Sequence, residues 1–188
     1  LGEGPQLRCV TRVVNRGSRP HPWAMGEHAV WDVAPSLSTG GRIEVSGEVV
    51  TAPDQPPGSE LAPGRREPWP VVGTLDGGRR DLSELGPKVR GSTGLAAVRV
   101  DTGEVVLHID GRPVMRLGWD HQVLPHLLVW MPFGGDHGAP WFGTVQALGL
   151  EPVSVPPWAD EADLPELAPG EALTTSWQVT LDDSGGSA

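Results

Sequence analysis

His28 and Glu151 are the two residues of this sequence whose types could divide a proton transfer between them. A histidine can donate a proton near neutral pH, and a carboxylate can accept one. His28 closes the segment Met25-Gly26-Glu27-His28, and Glu151 lies in Leu148-Gly149-Leu150-Glu151-Pro152, each in or beside strand-like sequence. The two are far apart along the chain, so only the tertiary fold can bring them together.

Glu151 is the more unusual of the two. It interrupts the apolar stretch 145–150 and precedes Pro152. A carboxylate in such a position either turns to solvent or is held in a polar site, and position alone favours neither. Burial would raise its pKa towards neutrality and suit it to act as a base. His28 alone is a weak signal, since most histidines in folded proteins are structural.

Composition excludes several kinds of partner. The chain has 188 residues and a formal net charge of −10, which disfavours nucleic acid and anionic membranes. Cys9 is the only cysteine, so an intrachain disulfide is impossible, and we expect a buried, inert thiol. No apolar run reaches membrane-helix length and no signal peptide is visible, so we expect a cytoplasmic protein. The chain opens at Leu1 without a methionine, which is consistent with truncation.

The elements that must position the pair are predicted to be antiparallel strands. The 26 glycines and 20 prolines favour short strands joined by turns over long helices. Alternation and β-branched content predict strands at 7–15, 26–33, 42–50, 95–100, 104–109, 112–117, 127–131, 141–150 and 173–181. Residues 52–78 read as a long proline-rich loop. We expect a single β-sandwich domain over residues 1–181 and a flexible tail over 182–188.

The sequence lacks the common nucleotide-binding and hydrolase motifs. A second polar group, Asp120, His121, His126, Asp136 and His137, has residue types that could bind zinc. Its spacing is loose and proline- and glycine-rich, so we expect solvated loop histidines and no metal site.

Tryptophan is unusually abundant, with eight residues beside no tyrosine. Trp23, Trp31, Trp130 and Trp141 lie near the two segments that carry His28 and Glu151. Tryptophan rings can stack on the C–H face of a pyranose. Core packing is the commoner role, so we expect at most one or two of the four to line a site.

An ordered set of motifs resembles the galactose mutarotase (aldose 1-epimerase) superfamily. The strand ending in Asn15-Arg16-Gly17 and followed by Gly26-Glu27-His28 resembles the family's Asn-x-Gly and Gly-x-His segments. Further similar segments, in the family's order, are 40–45, 125–130, 148–152, 167–171 and 177–181. The resemblance implies an antiparallel β supersandwich of the aldose-epimerase-like branch, of which this chain is the C-terminal two-thirds and lacks the N-terminal part.

The resemblance also implies roles. Glu151 would be the base that removes the anomeric proton of a cyclic aldose, and His28 the acid that protonates the ring oxygen. Apart from the resemblance, the position of Trp23, Trp31 and Trp130 near the two segments makes them the expected sugar contacts. The family's further histidine and arginine have no counterpart here. Such chemistry requires no cofactor, because each step is proton transfer and positioning.

Three hypotheses stay open. The protein is an aldose 1-epimerase-like isomerase, a non-catalytic carbohydrate-binding domain, or a structural domain in which His28 and Glu151 only form hydrogen bonds within the fold. The expected ligand is a monosaccharide or a sugar derivative, and the oligomeric state is left open. No basic cluster flanks either segment, which disfavours a sugar phosphate, although Arg16, Arg19 and Arg42 could converge in space.

Overall fold

The chain is almost entirely antiparallel β-structure. The computed structural model describes residues 4–182, with 46% strand and 4% helix. This confirms the all-β prediction. The expected tail over 182–188 lies, except for Asp182, outside the described residues.

Two six-stranded antiparallel sheets form the sandwich. The first, here the β1 sheet, has the order β1 (Gln6–Val14), β16 (Ala172–Leu181), β12 (Arg112–Trp119), β11 (Glu104–Ile109), β4 (Gly41–Glu44) and β9 (Glu84–Leu85). The second, here the β14 sheet, has the order β3 (Val30–Asp32), β14 (Ala147–Val153), β13 (His126–Trp130), β10 (Leu95–Val100), β5 (Gly47–Thr51) and β6 (Arg66–Pro68).

The remaining elements are short. Two pairs of strands form small sheets: β2 (His21–Pro22) with β15 (Glu166–Leu167), and β7 (Val71–Gly73) with β8 (Arg79–Asp81). One helix, α1, spans Ser36–Thr39, and a 3-10 turn spans Glu161–Asp163. No helix within residues 4–182 has the length and apolar character needed to cross a membrane.

Apolar side chains from both sheets meet in one core. The β14 sheet contributes Val98, Leu127, Val129, Leu148 and Leu150, and the β1 sheet contributes Ile43, Val105, Leu107, Leu117 and Val179. Successive strand residues point to opposite faces, so the inward pair Leu148 and Leu150 sends Gly149 and Glu151 to the outer face of the β14 sheet. The position of the core thus decides which face carries Glu151.

Several strand bounds differ from those predicted. The predicted strand 42–50 is divided into β4 and β5, which belong to different sheets. Gly47, with φ of 145°, lies at the start of β5 against the backbone of Arg99, where no side chain would fit. The predicted loop 52–78 contains the short strands β6 and β7, because proline is tolerated at strand ends and sheet edges.

Strand 141–150 is predicted too long at its N-terminal end. Residues 138–144 form a turn in which Trp141 and Phe142 both donate backbone hydrogen bonds to Gly138 O, and the strand begins only at Ala147. Cys9 is partly exposed rather than buried, because β1 is the edge strand of its sheet.

Candidate active site

Glu151 is held on the outer face of β14 with little access to solvent. The residue is 7% exposed, and it lies in the interior of the β14 sheet, with β13 on one side and β3 on the other. Its cross-strand neighbour on β13 is Leu128, which is also buried. The carboxylate therefore lies against an apolar surface.

Gly149 provides the space for this carboxylate. It is two residues before Glu151 on the same face, and the Glu151 side chain folds back over it. A Cβ atom at position 149 would collide with Oε1 of Glu151 and would lie 3.1 Å from Cβ of Trp130. The absence of a side chain at this position is what lets the carboxylate lie flat along its own strand.

His28 is placed opposite Glu151 by strand register. Trp31 pairs with Leu148 in the β3–β14 ladder, and an isolated bridge joins Gly26 to Val153. Both pairs belong to one register, which sets His28 across from Glu151. Cross-strand partners share a face, so both side chains project outward.

A local turn interrupts the predicted strand 26–33 at His28. The Ala29 backbone N–H donates to Glu27 O at 3.0 Å, which closes a three-residue γ-turn around His28. The segment still follows β14, because Glu27 N–H donates to Pro152 O and Leu150 N–H donates to Ala29 O. Regular pairing therefore begins only at β3.

The two side chains are in direct contact. His28 Nδ1 lies 2.7 Å from Glu151 Oε2, and the side chains are 69% and 9% exposed, respectively. A carboxylate oxygen can only accept, so Nδ1 carries the proton of this hydrogen bond when Glu151 is ionised. The hypothesis that the pair shares one face therefore agrees with the geometry.

Burial raises the pKa of Glu151 above its ordinary value of 4.5, since desolvation disfavours the charged form. The hydrogen bond and the charge of His28 act in the opposite direction and are smaller effects. A carboxyl group with a raised pKa that contacts an exposed imidazole can exchange protons with a bound hydroxyl group.

Two tryptophans border the pair. The ring centroid of Trp130 lies 6.3 Å from that of His28, with the planes at 32°. Trp141 lies 5.1 Å from Trp130, with the planes at 57°. Trp130 and Trp141 thus form an aromatic wall beside His28. Trp141 was one of the four tryptophans noted near the two segments, but it was not among the three expected to contact the sugar.

Trp31 requires a correction. It pairs with Leu148, whose side chain is inward, and it packs against the hydrophobic core. Strand alternation therefore directs Trp31 away from the face that carries Glu151, and we remove it from the site. Trp23 follows β2, and its backbone N–H donates to Pro165 O; its contact with a sugar stays a prediction.

Trp158 is a further aromatic residue on the outer face that sequence reasoning missed. It packs against the small cluster of Ala97, Leu128 and Val153, whose members share the face of Glu151 by strand register. The only available signal was its place in the loop that follows the strand of Glu151.

The second polar group does not form a metal centre. Within residues 4–182 no cluster of three or more histidine, cysteine, aspartate or glutamate side chains is arranged to hold a metal ion. The expectation of solvated loop histidines is wrong for His126, which lies within β13 and is partly buried.

Comparison with known proteins shows the fold. No protein-family model and no curated protein matches the sequence. The structure is similar to that of a galactose mutarotase-like protein from Lactobacillus casei, with 18% identity over 97% of this chain and 60% of the other, and a TM-score of 0.58. A galactose mutarotase related enzyme from Lactobacillus acidophilus matches with 14% identity over 94% and 57%, and a TM-score of 0.57.

A protein of proposed aldose 1-epimerase activity from Escherichia coli matches with 17% identity, 94% and 56% coverage, and a TM-score of 0.60. The chain has the galactose mutarotase-like fold. This confirms the predicted architecture, and the resemblance holds at the level of fold. This mutarotase-like chain spans little more than half the length of the solved chains named here.

Proposed function

We propose that this mutarotase-like chain carries the acid–base pair of an aldose 1-epimerase-like isomerase, which acts in the cytoplasm on a free aldose. The observation that carries the proposal is the contact of His28 with the buried carboxylate of Glu151 on the outer face of the sheet. The raised pKa of Glu151 supports its assignment as the base.

In the proposed reaction, Glu151 takes the proton from the anomeric hydroxyl group. The C1–ring-oxygen bond breaks as the C1 carbonyl forms, and His28 gives its proton to the ring oxygen. Rotation about C1–C2 presents the other carbonyl face, and the same transfers in reverse close the ring. Both residues then regain their starting protonation states, so no cofactor is consumed.

Sugar binding requires the direct His28–Glu151 contact to open. His28 is free to move because its side chain is 69% exposed. Glu151, in contrast, is buried on the sheet with its side chain folded over Gly149. We therefore propose that the base, Glu151, stays in place while the acid, His28, moves to admit the sugar. The aromatic wall of Trp130 and Trp141 is the proposed surface for the C–H face of the sugar.

The test is the rate of mutarotation of freshly dissolved aldoses, followed by polarimetry. Glu151→Gln and His28→Asn should each lower the catalysed rate by roughly 10²–10⁴-fold, the range for loss of a general acid or base. Equal rates for wild type and Glu151→Gln would refute the assignment of the base.

The chain offers a matched control on its other sheet. His108 Nε2 lies 2.8 Å from Glu44 Oε2, so it forms a second histidine–glutamate contact on strands β11 and β4. Glu44→Gln should leave the mutarotation rate unchanged. A similar loss in both glutamine variants would point to a general effect on the fold or charge.

A non-catalytic carbohydrate-binding domain of the same fold is the second candidate. Two observations favour it: His28 and Glu151 already hydrogen-bond to each other, and the His28 side chain is largely exposed to solvent. Saturable binding of a sugar without faster mutarotation, in wild type and Glu151→Gln alike, would establish this alternative in place of the enzyme.

A further inference from the structure

The outer face of the β14 sheet continues beyond the acid–base pair to a basic group. Arg99 on β10 is the cross-strand partner of His126 on β13, and His126 is in turn the partner of Val153 on β14. Because cross-strand partners share a face, Arg99 and His126 project from the same surface as Glu151.

Arg99 is an exposed cation without a counterion. It forms no ion pair with any residue that the structure describes. Glu48 is its cross-strand partner on β5, but the carboxylate of Glu48 instead accepts a hydrogen bond from Arg66 at 2.6 Å. Its guanidinium group is therefore available to an anionic ligand, in a chain whose net charge is −10.

His126 lies next to Arg99 on this face as its cross-strand partner. Burial lowers the pKa of His126, and the charges of Arg99 and Arg66 lower it further. Its Nδ1 lies 3.2 Å from the carbonyl oxygen of Ser154, which can only accept, so Nδ1 carries a proton. By register Arg99 on β10 and Arg66 on β6 lie on the same face of the sheet as His126, although Arg66 is already paired with Glu48. These three residues are far apart along the chain, which is why no basic cluster was visible in the sequence.

The separation between the two ends of this surface suits a substituted sugar. Glu151 and Arg99 lie two strands apart and two residues apart along the strand direction. Ladder spacing places their Cα atoms roughly 12 Å apart, and the long arginine side chain shortens that gap. Leu128 lies on the strand between those of Glu151 and Arg99, and Trp158 packs on the apolar cluster of Ala97, Leu128 and Val153. We therefore assign the Trp158 ring as a platform for the sugar ring.

We infer that Arg99 forms an anion subsite of the proposed isomerase, which selects aldoses that carry an acidic substituent at the end remote from C1. This inference rests on the proposed function. The ligand chemistry is a carboxylate or a phosphate, both of which a guanidinium can bind through two parallel hydrogen bonds. Arg99 is assigned to binding, not to the proton transfers.

The first test compares mutarotation of glucose, glucuronate and glucose 6-phosphate. Arg99→Gln should raise KM for the anionic sugars at least tenfold, with kcat unchanged and with glucose unaffected. The preferred anionic sugar distinguishes a carboxylate from a phosphate as the natural substituent. Arg112→Gln is the control, because Arg112 is likewise an exposed strand arginine but lies on the β1 sheet.

Unchanged KM values for both anionic sugars in Arg99→Gln would overturn the subsite, as would an equal rise for glucose. If wild type accelerates no mutarotation, the proposed function fails and the subsite is judged by binding alone. NMR shifts of the Arg99 side chain and the His126 ring on titration with glucuronate or inorganic phosphate, lost in Arg99→Gln, would then support it. Absence of saturable shifts in wild type would overturn it.

Discussion

At the scale of single residues, the chemistry of Glu151 depends on two opposing influences. Burial against the sheet raises its pKa, and the contact with His28 moderates that rise. The residue type was evident from the sequence. The balance between the two influences arises only from the neighbours that the fold supplies.

Removing His28 should therefore raise the pKa of Glu151 further. In His28→Ala the carboxylate loses both its hydrogen bond and the nearby positive charge, while desolvation remains. We expect NMR titration of the Glu151 side chain to give a value above 4.5 in wild type and a higher one in the variant. A lower value in the variant would contradict this account.

The raised pKa also has a defined effect on stability. Between the ordinary value of 4.5 and the raised value of the folded state, the native protein binds the proton more tightly than the unfolded chain does. The contribution of Glu151 is therefore present at low pH and lost as pH rises through that window. The test is urea unfolding of His28→Ala and of His28→Ala/Glu151→Gln at a series of pH values. As pH rises through that window, the free energy of unfolding of His28→Ala should fall relative to that of the double variant.

Gly149→Ala should displace the Glu151 carboxylate without removing it. The new Cβ would collide with Oε1 and press on Trp130. We expect the mutarotation rate to fall at least tenfold while far-UV circular dichroism stays unchanged. Gly118→Ala is the control, because a Cβ at that strand position meets only Gly103 O, at 3.8 Å. An active Gly149→Ala variant would show that this glycine does not position the base.

At the scale of elements, Asn15 ties together segments that the sequence places far apart. Its Nδ2 donates to Arg19 O and to Leu167 O, each at 2.8 Å, and its Oδ1 accepts from Gly17 N. The Asn15-Arg16-Gly17 motif thus joins the end of β1 to β15. In this structure the motif acts as a turn and a tie between segments.

Asn15→Ala should lower the free energy of unfolding by about 1–3 kcal/mol, because it leaves carbonyl groups without their donor. Asn15→Asp retains the oxygen that accepts from Gly17 but loses both donated bonds. We expect urea unfolding to rank wild type above the aspartate variant. Equal stability of all three proteins would show that the side-chain bonds contribute nothing.

Strand prediction succeeded where alternation is regular and failed at changes of direction. The predicted strands 95–100 and 104–109 match β10 and β11. The error over 42–50 arose because an apolar alternation continues while the chain passes from one sheet to the other. Trp31 was misassigned to the site because the face on which it lies depends on register with β14.

At the scale of the whole molecule, both sheets share one hydrophobic core. Leu117 on β12 and Leu148 on β14 are each fully buried within it. Replacing either by alanine should lower the free energy of unfolding by about 2–5 kcal/mol. Urea denaturation should show a single transition in both variants, as expected for a single domain.

Leu75→Ala is the control for these core variants. Leu75 is 68% exposed, so its loss should change stability by less than about 0.5 kcal/mol. Separate transitions for Leu117→Ala and Leu148→Ala would contradict a single cooperative unit.

The sequence by itself determined the all-β class and most of the strands, and it offered His28 and Glu151 as a candidate acid and base, because alternation and residue type are local properties. Tertiary structure alone decided that His28 lies opposite Glu151, that Gly149 leaves room for the carboxylate, and that Arg99 meets His126 on the same face. These facts depend on the register between strands distant along the chain. Local pattern cannot specify that register, because a shift of one residue moves every side chain to the other face.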